Sequence, residues 1–174
     1  MALELIMGSM FSGKSTELIH RVQRLQSIGM KCCVINHSND TRVDGGFIQT
    51  HDGQKIEAIK TDELMLVRIN DYDAIAIDEG QFFTNLKTAV TLMLQKKKFV
   101  IVSGLNGDFN RNAFGEMSDL VSIADDITFK RALCRKCCHP GKLASFTKRL
   151  GTETATVSIH SKYIAVCRYC YETD

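Results

Sequence analysis

The sequence predicts an α/β protein built on a parallel sheet, and three observations carry that expectation. Short apolar runs recur along the chain and alternate with helix-period segments, the pattern of strands buried on both faces. The first strand-to-helix junction reads Gly8-Ser9-Met10-Phe11-Ser12-Gly13-Lys14-Ser15. This is G-x-x-x-x-G-K-S, whose glycines let backbone N–H groups turn inward on phosphate while Lys14 adds charge and Ser15 offers a hydroxyl to Mg²⁺. A later apolar run ends in the acidic pair Asp78-Glu79.

The elements follow in order. Leu3 to Met7 is the first strand. The helix that opens at Ser15 carries Leu18, Ile19, Val22 and Leu25 on one face. Cys32 to Asn36 is a second strand. His37 to Gly53 is polar and glycine-containing, and reads as one long loop. Asp62 to Ile69 is expected as a short helix and Ala74 to Ile77 as a third strand. Phe82 to Gln95 is helix-like, with Leu86, Val90 and Leu94 at compatible spacing. Phe99 to Val102 is a fourth strand, followed by a glycine-punctuated segment from Leu105 to Gly115. Met117 to Ala124 reads as a short helix and Ile127 to Leu133 as a fifth strand. Sites in such sheets lie beyond the carboxyl ends of the strands, so residues 8–15, Asp78-Glu79 and residues 105–114 are expected in one crevice.

With 174 residues, 44% of them hydrophobic, the chain suits one domain with a small appendage. The strand–helix alternation stops near Cys134, which places a boundary at about residue 130. The parts are then a nucleotide-binding region over 1–130 and a cysteine-bearing region over 131–174. The formal charge of +2 argues against a duplex nucleic-acid partner. No apolar run approaches a membrane span and no secretory signal is evident, so the expected compartment is the cytoplasm.

Asp78 is a candidate to hold Mg²⁺ and Glu79 a candidate general base, acting on water in an ATPase or on a substrate hydroxyl in a small-molecule kinase. The plainer alternative is that the pair caps the next helix. Among the seven cysteines, Cys134-x-x-Cys137 and Cys167-x-x-Cys170 form two C-x-x-C pairs separated by 29 residues. They supply four thiolates for tetrahedral zinc, against the alternatives of two disulfides or a redox pair. Cys138 could take the place of Cys137. Cys32 and Cys33 read as small core residues.

Together these residues resemble the thymidine kinase family of the cellular and poxvirus type. The resemblance rests on residues 8–16, Asp40-Thr41-Arg42, Thr50-His51-Asp52, Asp78-Glu79-Gly80-Gln81-Phe82-Phe83, Leu105-Asn106-Gly107-Asp108-Phe109, Thr147-Lys148-Arg149-Leu150-Gly151, and Lys162-Tyr163 leading into Cys167-Arg168-Tyr169-Cys170. It implies a RecA-like core with a small zinc domain that carries a lasso loop, and transfer of the ATP γ-phosphate to the 5′-hydroxyl of thymidine. Glu79 would be the base. The loop Gly8, Ser9, Met10, Phe11, Ser12, Gly13, Lys14 and Ser15, with Asp40, Arg42, Asp78 and Gln81, would serve the nucleotide. Ser15 and Asp78 would serve Mg²⁺. Met10, Phe82, Leu105, Phe109, Phe114 and Tyr163 would form the nucleoside pocket. Thr147 and the lasso residues Thr156, Val157, Ser158 and Ile159 would bond the thymine. The resemblance also implies a homotetramer and inhibition by thymidine triphosphate.

The sequence departs from the family pattern in places. Ser9 replaces a usual proline, which is expected to loosen the loop. Asn106 replaces an aspartate, residues 139–142 look inserted, and the Gly-Gly before Lys162-Tyr163 is missing. A zinc-knuckle ATPase binding single-stranded nucleic acid is the competing reading, disfavoured by the lack of a basic stripe.

Overall fold

The computed structural model describes residues 1–40, 46–50, 53–137, 139–151 and 162–173. Its centre is a six-stranded parallel sheet. In chain order the first elements are β1 (Ala2–Gly8), α1 (Lys14–Ser27), β2 (Cys32–His37), β3 (Phe47–Gln49), β4 (Lys55–Glu57) and β5 (Ile59–Thr61). Then come β6 (Ala74–Asp78), α2 (Leu86–Gln95), β7 (Phe99–Leu105) and β8 (Asp126–Lys130). The sheet order is β5-β2-β6-β7-β1-β8.

Side-chain alternation divides the core into two layers. Leu3, Leu5, Ile35, Ile75, Ile77, Val100 and Val102 point to one face, where they meet Phe83, Leu86, Val90 and Met93 from α2 and its approach. Ile6, Val34, Ala76 and Ile101 point to the other and meet Leu18, Ile19 and Val22 of α1. Both faces are covered, which is why the strands read as continuous apolar runs.

The second region consists of two small antiparallel pairs. β9 (Ala132–Leu133) pairs with β10 (Leu143–Ala144), and β11 (Phe146–Leu150) with β12 (Lys162–Val166). A short helix, α3 (Arg168–Glu172), ends the chain. Their apolar clusters are small and merge with the cysteines.

Several local expectations are corrected. The stretch from His37 to Gly53 is not loop throughout: β3 forms a hairpin with β4, pairing Ile48 with Ile56. Ile48 is buried in the α1-side layer, and a three-residue strand offers too little alternation to read. The helix expected over 62–69 is a single 3₁₀ turn at Leu64–Leu66, flanked by extended Glu63 and Val67. The helix expected from Phe82 starts at Leu86, because Phe83 is extended and Asn85 is left-handed. Residues 118–123 form a 3₁₀ helix. The strand expected over 127–133 is two strands, since β8 stays with β1 while β9 leaves to join β10.

Candidate active site

The glycine-rich loop leaves the carboxyl end of β1 and enters α1. Phe11 and Gly13 both take left-handed φ values, 61° and 77°. Alternation between ordinary and left-handed conformations curls successive N–H groups toward one concavity, a shape that binds anions. Gly13 is the residue before α1, and no side chain caps the helix there. Its first N–H groups therefore add to the same positive end. The hydroxyl of Ser12 is buried with no hydrogen-bond partner among the described residues, and open space lies beside Gly13. A loop with an orphaned donor and an uncapped helix start fits a phosphate. Lys14 Nζ donates to the carbonyl of Ser9 at 2.9 Å, which holds the ammonium on the loop.

Asp78 ends β6, the second neighbour of β1 in the sheet. Ser15 Oγ donates to one of its carboxylate oxygens at 2.8 Å, and Ser103 Oγ from β7 donates to the other. A hydroxyl and a carboxylate in contact at the mouth of a phosphate loop are hard oxygen ligands of the kind Mg²⁺ takes. Beside Asp78 in register stands Asn36, whose amide nitrogen donates to Asp40 at 2.9 Å. Asp40 is thereby fixed at the end of β2, and its carbonyl also accepts from Lys60. Arg42 lies outside the described residues.

Glu79 follows directly and adopts φ 55°, left-handed for a non-glycine residue. Such a conformation is uncommon and persists where surrounding structure imposes it. Gln81 supplies part of that structure. Its Nε2 donates to Glu79 at 2.6 Å, and its Oε1 accepts from the Leu105 N–H at 3.0 Å. The Gln81 amide, expected close to the nucleotide, joins Glu79 to the end of β7. Glycines press close around it. A methyl group on Gly115, where φ is +57°, would sit 2.2 Å from the Gln81 carbonyl oxygen. Gly115→Ala is therefore expected to lower stability by about 2–4 kcal/mol and to reduce turnover with it, as read by urea denaturation and kcat.

The apolar residues fall into linked groups. Phe82 meets Phe114 edge-on at 5.6 Å and His37 at 5.7 Å, whereas Phe83 is the core residue of the pair. His37 is neutral: burial lowers its pKa, and its Nδ1 accepts from the Asn39 N–H. Met10 in the phosphate loop donates its N–H to Thr147 Oγ1 at 3.0 Å, so β11 touches that loop directly. Ser9 does the same through its hydroxyl, which donates to the Ala144 carbonyl at 3.1 Å. The expectation that serine loosens the loop is thus corrected: Ser9 is buried and tied down.

Arg149 is a site residue for which sequence reasoning found no role. It is 8% exposed, with its guanidinium 3.9 Å from the ring centre of Phe109 and hydrogen bonds to the Tyr163 hydroxyl. One cation thereby orders two of the expected pocket aromatics. Its place in the Thr147-Lys148-Arg149 motif was the available signal. The lasso residues Thr156, Val157, Ser158 and Ile159 lie outside the described residues.

Cys134, Cys137, Cys167 and Cys170 converge, with all four sulfurs within 4.8 Å of one another. Ligands about 2.3 Å from a tetrahedral zinc stand about 3.8 Å apart, so the cluster can hold a metal ion. Cys134 and Cys167 come from opposite ends of the region and meet where the Cys167 N–H donates to Cys134 Sγ at 3.3 Å. Burial raises the Cys134 thiol, yet N–H donors from Cys167, Lys136 and Cys137 and the Cys170 thiol bring it down to about 7. Burial and the neighbouring sulfurs of Cys167 and Cys134 push Cys170 up to about 12. Four such sulfurs ionise together only around a cation. These cysteines, with Cys32 and Cys33, are free thiols, and Cys138 lies outside the described residues.

Parallel sheet, glycine-rich loop and paired carboxylates suit an enzyme that acts on phosphate groups, and likeness to known proteins makes the class a nucleoside kinase. A family model described as thymidine kinase matches residues 1–171. Thymidine kinases of Variola virus (isolate Human/India/Ind3/1967) and Raccoon poxvirus are 44% and 43% identical over 173 residues, spanning 97% of this chain and 96% of theirs. That of Vaccinia virus (strain Ankara) is 43% identical over the same span. The chain belongs to the thymidine kinase family. No helix among the described residues is long and apolar enough to cross a membrane.

Proposed function

We propose that this chain transfers the γ-phosphate of ATP to the 5′-hydroxyl of thymidine, giving thymidine monophosphate and ADP. The observation that carries the reading is Glu79. It is a carboxylate next to Asp78, held by Gln81 and directed by a left-handed backbone at the end of the strand that adjoins β7. Phosphoryl transfer needs positioning and charge neutralisation more than covalent chemistry. Residues 8–15 hold the phosphates through the inward N–H groups and Lys14, with Asp40 and Arg42 on the neighbouring loop. Ser15 and Asp78 serve Mg²⁺, which supplies charge neutralisation at the transferring phosphate. Glu79 takes the 5′-hydroxyl proton as oxygen attacks phosphorus and the bond to the ADP oxygen breaks.

Met10, Phe82, Leu105, Phe109, Phe114 and Tyr163 form the nucleoside pocket. Thr147 and the backbone of Thr156 to Ile159 bond the base. The Thr147 hydroxyl accepts from the Met10 N–H, which ties the base-side residue to the glycine-rich loop and leaves its proton and its second lone pair to meet the base. Zinc at Cys134, Cys137, Cys167 and Cys170 staples the region over 131–174 beside the region over 1–130. A homotetramer is supported by Ile127 and Phe129, 43% and 48% exposed on β8, the edge strand of the sheet. Thymidine triphosphate fits as an end-product inhibitor of the same site, and free thiols suit the cytoplasm.

The test uses two analogues. 3′-Deoxythymidine should be phosphorylated by Mg-ATP and the protein. 5′-Deoxythymidine should compete with thymidine and yield no product. Phosphorylation at another position, or ATP hydrolysis without nucleoside product, would overturn the reading.

A further inference from the structure

The loop that carries Phe109 belongs in sequence to the parallel-sheet region, but the contacts that grip it come from the other end of the chain. The loop is itself a closed turn. The Asp108 N–H donates to the Asn112 carbonyl at 3.0 Å, and Asp108 Oδ1 accepts from the N–H groups of Asn110 and Asn112, at 2.8 Å each. Arg111 sits left-handed within it at φ 69°. A turn closed in this way moves as a unit, so its position depends on what holds it from outside.

Two grips are visible. Arg149 covers the Phe109 ring from β11. Tyr171 takes the backbone: its hydroxyl donates to the Phe109 carbonyl at 2.6 Å. Around Tyr171 the contacts multiply. The Arg111 guanidinium lies 4.4 Å from its ring centre, Phe146 packs at 5.7 Å, and Lys148 Nζ donates to its carbonyl. Arg111 also pairs with Glu172. Tyr171 follows Cys170, and its N–H donates to the Cys167 carbonyl at 3.0 Å, closing the turn of α3 that carries both cysteines. The sulfur cluster thus fixes α3, α3 fixes Tyr171, and Tyr171 fixes the carbonyl of Phe109.

We propose that Tyr171 is a positioning residue for nucleoside binding, holding the Phe109 wall of the pocket against the cysteine-bearing end of the chain. This rests on the reading of Phe109 as a pocket residue. The hydroxyl makes no use of the phosphate loop or of Glu79, so its effect falls on the nucleoside and spares the nucleotide. Loss of one part-buried hydrogen bond translates to a few-fold change.

The experiment compares Tyr171→Phe with Phe109→Ala in the full chain. Tyr171→Phe should raise KM for thymidine roughly three- to tenfold, with kcat and KM for ATP within about twofold and zinc content unchanged. Hydrogen exchange in the peptide spanning residues 105–115 should quicken in the absence of substrate. Phe109→Ala should raise the thymidine KM at least as much. If Phe109→Ala raises it while Tyr171→Phe changes neither KM nor exchange, the latch is wrong and the pocket reading stands. If Phe109→Ala leaves the thymidine KM unchanged, the pocket reading fails and the latch fails with it. A parallel rise in both KM values, or loss of zinc, in Tyr171→Phe would reduce Tyr171 to a structural residue and overturn its positioning role.

Discussion

Glu79→Gln is expected to lower kcat by about 10²–10⁴, the range a general base contributes, while KM for ATP stays within about twofold. The substitution keeps shape and volume. Gln81 Nε2 donates to a Glu79 oxygen at 2.6 Å, and the amide oxygen of a glutamine can accept the same bond. What is lost is the capacity to take a proton. The Lys14–Ser9 and Ser15–Asp78 hydrogen bonds of the glycine-rich loop do not involve Glu79 and should persist. Steady-state kinetics with equilibrium binding of ATP separate the two effects. Turnover undiminished in Glu79→Gln would remove Glu79 as the base. Equal loss of turnover and ATP binding would make it a structural residue.

Replacing Cys170 with alanine should have the largest effect on stability. The buried members of the second region's clusters are three alanines, Val166 and two cysteines, with Phe146, Ile164 and Tyr171 only partly buried against them, so its apolar core is small. Structural zinc contributes on the order of 10 kcal/mol in comparably small modules, far more than a few buried alanines. Loss of one of four ligands should therefore release the metal and unfold residues 131–174. Met10 and Ser9 would then lose their partners Thr147 and Ala144, and Phe109 would lose Arg149. Metal analysis should show less than one zinc per chain, and thymidine binding should disappear. Because the thiols must be deprotonated to coordinate, zinc retention should also fall as pH drops. A Cys170→Ala protein that keeps zinc, thermal stability and thymidine binding would show that the cluster does not staple this region.

The parallel sheet was legible in the sequence because it depends on local signals. A strand buried on both faces is a continuous apolar run, and Leu3 to Met7, Ala74 to Ile77 and Phe99 to Val102 each lie within a sheet strand. The left-handed turn at Gly13 is foreshadowed by the glycine spacing of the loop, and the four sulfurs converge from the two C-x-x-C pairs that the spacing picked out. What escaped depends on tertiary contact. Ile48 and Ile56 make a hairpin too short to show a period, and Asn85, left-handed, delays the start of the expected helix to Leu86. Arg149 appears in sequence only as part of the Thr147-Lys148-Arg149 motif, and its two aromatic neighbours are what make it a buried organiser. Ser9 shows the same limit. Judged by residue type it loosens the loop, whereas its bond to Ala144 lies 135 positions away.

The most direct test of the account is the nucleoside specificity of the purified protein. It would be incubated with Mg-ATP and each of the four deoxynucleosides in turn, and monophosphate formation followed against ADP release. Thymidine monophosphate should form one-for-one with ADP, with little product from the other three deoxynucleosides. Deoxycytidine, deoxyadenosine or deoxyguanosine turned over as well as thymidine would contradict it.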